Sequence, residues 1–166
     1  MDLFSRIPIF SLMESYNKRI PEDRYTEFLK CMPQVSVELF LVDDGKVLLA
    51  KRVNKPLRGE WFWPGGRLYR GEKLEEAVHR IAREELSIEV KIEEQLGVYS
   101  HFWNESPFEN VESVHTVNIV YRVRPVEDVK NINLDDQHED YKFISEIEPG
   151  LHKYVKRYMN DSGIFD

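Results

Sequence analysis

Cysteine and long apolar runs are scarce in this chain, and positive charges are outnumbered by negative ones. The single cysteine, Cys31, excludes an internal disulfide framework and fits a reducing compartment; we expect it to be buried as a small apolar residue. No stretch approaches the roughly 20 consecutive apolar residues of a membrane-spanning helix. The 23 Lys and Arg against 30 Asp and Glu leave a net charge of −7, which argues against a general nucleic-acid binder. An anionic ligand would therefore have to be met by local arginines or a bound cation.

The start of the chain is apolar but does not have the features of a secretory signal. It is interrupted by Arg6 and Pro8 and has no clear small-residue cleavage site. We therefore expect a cytoplasmic protein that does not associate with membranes. A length of 166 residues suits one domain with a buried core.

Hydrophobic periodicity and turn residues predict strands around a few helices. Helices are expected over 22–30, 72–86 and 152–159, and strands over 35–42, 47–50, 89–99, 114–123 and 143–144, with a short strand through Trp61. Asp44-Gly45 predicts a hairpin turn, and loops are expected over 102–112 and over the acidic segment 131–141. This pattern indicates the α+β class.

The helix predicted over 72–86 has a carboxylate where an apolar residue is expected. Its apolar residues recur at the three-and-four spacing of one buried face at Leu74, Ala77, Val78 and Ile81. The next position on that face is Glu85. A buried carboxylate without a partner is costly, so a cation is its natural compensation. The alternative is a Glu at the helix end that reaches water or pairs with an arginine.

A glycine-rich turn precedes this helix. Pro64-Gly65-Gly66 follows the apolar run Trp61-Phe62-Trp63, and such a turn lets backbone oxygens and amides approach an ion or phosphate closely. A strand, a glycine turn and a helix with an inward Glu together predict a site for a hard divalent cation with oxygen ligands.

The spacing of residues across this stretch resembles the Nudix box of the Nudix hydrolases. The matching residues are Gly66, Glu72, Arg80, Glu84 and Glu85. Two positions depart from the pattern: Ile81 stands where a Glu is expected, and Ser87 where a Gly is expected. The resemblance implies the Nudix fold, a mixed β-sheet sandwiched between α-helices.

Longer segments resemble one subgroup, the GDP-mannose mannosyl hydrolases. They are residues 33–36, 50–67, 100–103 and 135–143. Because that subgroup lacks the Glu replaced here by Ile81, the first departure fits the assignment, whereas Ser87 has no such support. The resemblance begins near Ile20, so we expect residues 20–166 to form the Nudix hydrolase domain. Residues 1–19 would be an N-terminal extension, either mobile or specific to a subfamily.

The resemblance also implies a metal site and a general base. Mg²⁺, with Mn²⁺ as a substitute, would be held by the Gly65 carbonyl, Glu85 and Gln137. Glu84 has two interpretations, as a further ligand or as an ordinary ion pair with Arg80 four residues earlier. His138 matches the base that activates water, a role that the ordinary histidine pKa near 6.5 suits. The alternative is that His138 is an exposed loop histidine with no role.

Substrate-binding residues follow from the same resemblance. Arg52 and Arg67 match arginines that bind the phosphates and the leaving group, and the planar guanidinium fork suits phosphate oxygens. Tyr25 would stack on guanine across a homodimer interface, and Glu38 and His101 would line the sugar site. Arg80 is expected to brace the loop by pairing with Glu72 or Glu84. Thr116 stands where relatives carry a Tyr, which leaves the identity of the sugar nucleotide open.

These features predict an Mg²⁺-dependent hydrolase that converts GDP-mannose or a close GDP-hexose to GDP and free hexose by water attack at the anomeric carbon. One alternative is a Nudix pyrophosphatase that cleaves an NDP-sugar, ADP-ribose or an NTP at phosphorus. Another is a Nudix-fold binding module without catalysis, for which Ile81 and Ser87 are the main support.

Overall fold

A mixed seven-stranded sheet forms the centre of the molecule. The computed structural model describes residues 20–166, so the extension predicted over 1–19 lies outside the described residues. The strands are β1 (Gln34–Asp43), β2 (Lys46–Arg52), β3 (Trp61–Phe62), β4 (Gly65–Arg67), β5 (Val90–Trp103), β6 (Val114–Pro125) and β7 (His138–Ile144). The helices are α1 (Glu22–Cys31), α2 (Leu74–Leu86) and α3 (Lys153–Ser162), with a short 3-10 turn at Val129–Asn131.

Strand β1 organises the sheet, whose main order is β3-β2-β1-β6-β5. It pairs with β6 in parallel and with β2 and β4 antiparallel, while β7 adds to β2. The predicted hairpin at Asp44-Gly45 joins β1 to β2, and both turn residues have the positive φ, 46° and 70°, that such a turn requires.

The two faces of the sheet carry two separate apolar clusters. Leu39 and Leu41 of β1 pack with Ile81 and other residues of α2 in one cluster. Phe40, which points to the opposite face because side chains alternate along a strand, packs with Tyr158 and other residues of α3. The sheet therefore lies between helices, which confirms the predicted α+β fold class. None of the helices formed by residues 20–166 combines the length and apolar character needed to cross a membrane.

Helix α2 begins at Leu74, two residues later than predicted. Gly71 has a φ of 82° and lies in the turn that precedes the helix. Glu72 instead lies in the preceding turn and accepts a hydrogen bond from the Tyr69 amide at 3.0 Å. Glu76 Oε2 then accepts a hydrogen bond from the Lys73 amide at 2.9 Å, which satisfies one backbone donor at the start of the helix.

Three other local predictions differ from the structure. Strand β5 extends through Trp103, so the loop predicted over 102–112 begins later. Strand β7 begins at His138, inside the predicted acidic loop, because this charged segment pairs with β2 and faces Arg52 across the ladder. Cys31 was expected to be buried as a small apolar residue, but it is exposed at the end of α1.

Candidate active site

A cleft of about 370 Å³ opens between the glycine turn, α2 and the adjoining strands. The predicted site residues that line it are Tyr25, Glu38, Arg52, Gly65, Arg67, Glu84, Glu85 and Gln137. Residues from six regions of the chain are thereby brought to one place. Two predicted residues, His101 and His138, are buried beside the cleft and are not part of its lining.

Glu85 is the buried carboxylate of the site. It is only 6% exposed on α2, and its Oε2 accepts a hydrogen bond from the Gly65 amide at 2.9 Å. Burial raises the pKa of Glu85 to about 8 with help from the nearby Asp135 charge, while the Gly65 amide and the Arg52 charge act in the opposite direction. The carboxylate is therefore held in place at a position where a cation would stabilise its charge.

The close approach of the glycine turn depends on Gly65. A Cβ at this position would lie 2.8 Å from Glu38 Cγ and 2.9 Å from the Val37 carbonyl oxygen, both well inside van der Waals contact. The register explains the crowding, because β4 pairs with β1 and places Gly65 opposite Glu38. Any larger residue would push β4 away from β1 and displace the amide that Glu85 accepts from.

The oxygen donors around Glu85 fit a hard divalent cation. Residues 20–166 contain no group of three or more His, Cys, Asp or Glu side chains that could hold a metal by themselves. Gln137 lines the same cleft, and its Nε2 donates to Asp135 Oδ2 at 3.0 Å, so its carbonyl oxygen is not used in that bond. One carboxylate with carbonyl and amide oxygens suits Mg²⁺, which completes its shell with water and substrate phosphates.

His138 is held by Asp135 at the start of β7. Its Nδ1 lies 2.8 Å from Asp135 Oδ1, while Nε2 is buried without a hydrogen-bond partner among the described residues. Burial lowers the pKa of His138, and the hydrogen bond and charge of Asp135 oppose this. The neutral ring therefore carries its proton on Nδ1, and Nε2 has a free lone pair.

The Arg52 guanidinium interacts electrostatically with the acids in and beside the cleft. Burial lowers the pKa of its guanidinium, while the charges of Glu85, Glu38 and Asp135 oppose that shift. Its Nε donates to the Pro56 carbonyl at 3.0 Å, which fixes the side chain in the loop after β2.

Arg67 and Arg80 have different surroundings. The Arg67 guanidinium lies 5.2 Å from the ring centre of Tyr25 and 5.0 Å from that of Tyr69, at the mouth of the cleft. Arg80 pairs with Glu72 at 2.6 Å and with Glu84 at 2.9 Å, and donates to the Arg67 carbonyl at 2.9 Å. The prediction that Arg80 braces the loop is thus confirmed, and Glu84 has the ion pair that one of its two interpretations requires.

The aromatic wall of the cleft differs from the prediction at His101. Glu38 is buried on β1 and accepts a hydrogen bond from Tyr158 Oη at 2.6 Å. His101 lies behind it with no exposed surface, and its Nε2 is 2.9 Å from the same Tyr158 Oη. His101 therefore cannot make the predicted direct contact with a sugar in this structure; it could act on a sugar only through Tyr158 and Glu38.

Sequence reasoning missed Tyr158 and Asp135. Tyr158 lies 120 residues from Glu38, so no local spacing connects the two. Asp135 could have been found, because an acid three residues before a candidate base is a signal for an orienting hydrogen bond. Tyr25 lines the cleft; its hydroxyl donates to Gln34 Oε1, and its ring packs edge-on against Phe108.

Comparisons with known proteins give one family. A family model of the NUDIX domain matches residues 32–160. The chain is 40% identical over 142 residues to the low-salt glycan biosynthesis protein Agl8 of Haloferax volcanii, covering 86% of this chain and 90% of that protein. It is 37% identical over 110 residues to an ADP-ribose pyrophosphatase of Methanocaldococcus jannaschii, covering 64% of this chain and 60% of that protein.

A solved structure agrees with these relatives. The MutT NUDIX hydrolase of Burkholderia pseudomallei superposes with a TM-score of 0.64 at 26% identity, covering 78% of this chain and 98% of that chain. The glycine turn, the inward Glu85 and the Arg80 brace are the parts of the Nudix box in this structure. The chain therefore belongs to the Nudix hydrolases.

Proposed function

We propose that this Nudix hydrolase converts a GDP-sugar, GDP-mannose or a close GDP-hexose, to GDP and free hexose. Water attacks the anomeric carbon and inverts its configuration. The observation that supports this most directly is the placement of Arg52, Arg67, Glu85 and Gln137 on one cleft, with the candidate base His138 buried next to Gln137.

The number of carboxylates favours attack at carbon over attack at phosphorus. Ile81, which replaces a Glu of the Nudix pattern, is 1% exposed and packs in the core under α2. Glu84 is engaged with Arg80 and largely exposed, so Glu85 remains as the buried acid of the helix. Fewer acids hold fewer cations, and a hydroxide directed at phosphorus is then harder to organise.

The residues of the chain divide the reaction between them. A divalent cation held by Glu85, Gln137 and the Gly65 carbonyl would neutralise charge on the diphosphate leaving group. Arg52 and Arg67 present planar N–H forks to the phosphate oxygens. The water oxygen forms the new bond to the anomeric carbon while the bond from that carbon to the phosphate oxygen breaks, and its electron pair leaves with the diphosphate.

His138 takes the proton of the attacking water. Asp135 accepts from Nδ1–H, which leaves the Nε2 lone pair as the acceptor. Nε2 has no partner among residues 20–166, so its lone pair is free to accept a proton. Asp135 also stabilises the imidazolium that forms.

The comparisons support a sugar-linked substrate without identifying it. The relative from Haloferax volcanii is named for glycan biosynthesis, and it covers most of this chain. The second relative, named an ADP-ribose pyrophosphatase, favours a second candidate function: cleavage of a nucleoside diphosphate derivative at phosphorus. The cytoplasmic location and the homodimer implied by the resemblance stay predictions.

One product assay in ¹⁸O-labelled water separates the candidates. GDP-mannose, other GDP-hexoses, UDP-glucose, ADP-ribose and an NTP are incubated with the protein and Mg²⁺, and products are read by mass. We expect free hexose that carries the label and unlabelled GDP. Sugar phosphate plus GMP, with label in a phosphate, would replace the proposal by the pyrophosphatase. Tight binding of nucleotide sugars without turnover would indicate the binding module.

A further inference from the structure

A chain of hydrogen bonds connects the wall of the cleft with the core. Glu38 lines the cleft, and its Oε2 accepts from Tyr158 Oη at 2.6 Å. The same hydroxyl lies 2.9 Å from His101 Nε2. All three side chains are buried, and they come from β1, β5 and α3.

The direction of these hydrogen bonds follows from the histidine. Burial, with neighbouring positive groups, lowers the pKa of His101 to about 3, so the ring is neutral and has one N–H. Its Nδ1 is buried without a hydrogen-bond partner among the described residues, and a buried unpaired N–H is less tolerable than an unpaired lone pair. The proton therefore belongs on Nε2, which donates to Tyr158, and Tyr158 donates to Glu38.

Ring packing keeps His101 and Tyr158, the two donors of these hydrogen bonds, in one position. His101 stacks on Tyr154 with ring centres 3.8 Å apart. Tyr158 is in contact with Tyr99 and Trp63, with ring centres at 4.4 Å and 5.6 Å. Since neither ring can turn without opening the core, Tyr158 Oη is a fixed donor. It engages one oxygen of Glu38, and the other oxygen is available to a ligand in the cleft.

We propose that Tyr158 is a positioning residue for substrate recognition, which acts with His101 through Glu38. It holds the Glu38 carboxylate in the rotamer that accepts a hydrogen bond from a hydroxyl of the glycosyl group. This inference rests on the proposed function, because it needs a substrate that carries a sugar on its diphosphate. A hydroxyl away from the reacting carbon is bound equally in the ground and transition states, so the effect belongs in KM and not in kcat.

The helix itself provides a matched control. Tyr154 lies one turn before Tyr158 on α3, is also buried and also packs on His101. Its hydroxyl accepts from the Phe102 amide at 3.0 Å and does not take part in the chain to Glu38. Tyr158→Phe and Tyr154→Phe each remove one hydrogen-bonded hydroxyl from the same aromatic layer, but only the first reaches the cleft.

The experiment compares both variants with GDP-mannose as substrate and with GDP as a ligand without sugar. For Tyr158→Phe we expect KM to rise about 5- to 30-fold, kcat to stay within about twofold and GDP affinity to be unchanged. Tyr154→Phe should keep wild-type KM. A matching rise of KM in both variants, or a parallel loss of GDP affinity, would overturn the proposal, because either result indicates general loosening.

Two further measurements keep the inference separate from the proposed function. In a Glu38→Gln background, where KM is expected to rise, Tyr158→Phe should add less than twofold; independent effects, or a Glu38→Gln variant with wild-type KM, would refute it. If the wild type hydrolyses no nucleotide sugar, the proposed function fails. A crystal structure of Tyr158→Phe then decides the positioning claim: Glu38 in a new rotamer supports it, and an unmoved Glu38 overturns it.

Discussion

The two sides of the cleft differ in how far apart along the chain their hydrogen-bonded residues lie. On the glycine-turn side, Gly65, Glu85 and Gln137 line the cleft and Asp135 and His138 lie beside them; the hydrogen bonds there join residues only 20 and 3 positions apart. On the aromatic side, formed by Glu38, His101 and Tyr158, three distant elements share one hydroxyl. In the proposed reaction, the first side would activate water and hold the cation. The second has packed rings around one acid, which suits recognition.

This difference predicts that variants on the glycine-turn side reduce turnover, while variants on the aromatic side change substrate affinity or stability. Arg52 interacts with both sides, because the charges of Glu38 and Glu85 both raise the pKa of its guanidinium. The variants below are ordered from the largest expected effect to the smallest.

Replacing the candidate base tests the glycine-turn side most directly. His138→Gln should lower kcat by about two to four orders of magnitude while substrate affinity is nearly unchanged, because the amide cannot take a proton from water. Steady-state kinetics on the identified substrate measure both quantities. His79→Gln is the control, since His79 lies on α2 and does not line the cleft. Wild-type turnover in His138→Gln would remove this residue from the mechanism.

Replacing the buried carboxylate tests the cation site. Glu85→Gln keeps shape but loses the charge, so we expect kcat to fall by about two to three orders of magnitude and half-saturation to need more Mg²⁺. Glu84→Gln separates the two interpretations of its neighbour: loss of a surface ion pair should change activity only a few-fold. A Glu84→Gln titration shifted as far as that of Glu85→Gln would make Glu84 a ligand, and an unshifted Glu85→Gln titration would move the ion elsewhere.

Acid should destabilise the aromatic side through His101. The pKa of this ring is about 3 in the folded state against an ordinary value near 6.5 when unfolded. Because the unfolded chain binds the proton more readily, the contribution of His101 is fully present above pH 6.5. It is lost progressively as the pH falls toward 3, by about 5 kcal/mol in total.

The measurement is the free energy of unfolding by urea between pH 7 and pH 4 in wild type and His101→Gln. Below pH 6.5 the wild-type curve should fall more steeply than that of the variant, since glutamine has no proton to gain. Parallel curves would mean that His101 does not titrate on unfolding in this range. Tyr154→Phe, which keeps the histidine, should retain the wild-type slope.

The same contrast explains how much could be predicted from sequence. Glu85 was predictable because helical spacing puts it on the face of Ile81, and the pairing of Arg80 with Glu84 follows from positions four apart. The start of α2 was not predictable, because Glu72 accepts a hydrogen bond from the Tyr69 amide and pairs with Arg80 before the helix begins. Tyr158 could not be found, since its contact with Glu38 exists only after β1 and α3 have packed together.

Ser87 gives the smallest expected effect and tests the second departure from the Nudix pattern. It ends α2 with a φ of 57°, the left-handed conformation that costs a non-glycine residue about 1–2 kcal/mol. Its Oγ donates to the Asn133 carbonyl at 2.9 Å, which returns about 0.5–1 kcal/mol. Glycine would relieve the strain, lose this bond and gain freedom in the unfolded state. We therefore expect Ser87→Gly to change the free energy of unfolding by less than about 0.5 kcal/mol.

Ser87→Ala is the matched comparison, because it keeps the strain and loses only the hydroxyl. It should destabilise the protein by about 0.5–1 kcal/mol, measured by urea unfolding at one pH for all three proteins. The hydrogen bond ties the end of α2 to the segment before Asp135, whose amide also donates to the Glu85 carbonyl at 3.2 Å. A clearly stabilising Ser87→Gly substitution would contradict this expectation. The hydrogen bond from Ser87 Oγ would then be too weak to offset the backbone strain, and the structure would not explain the serine at this position.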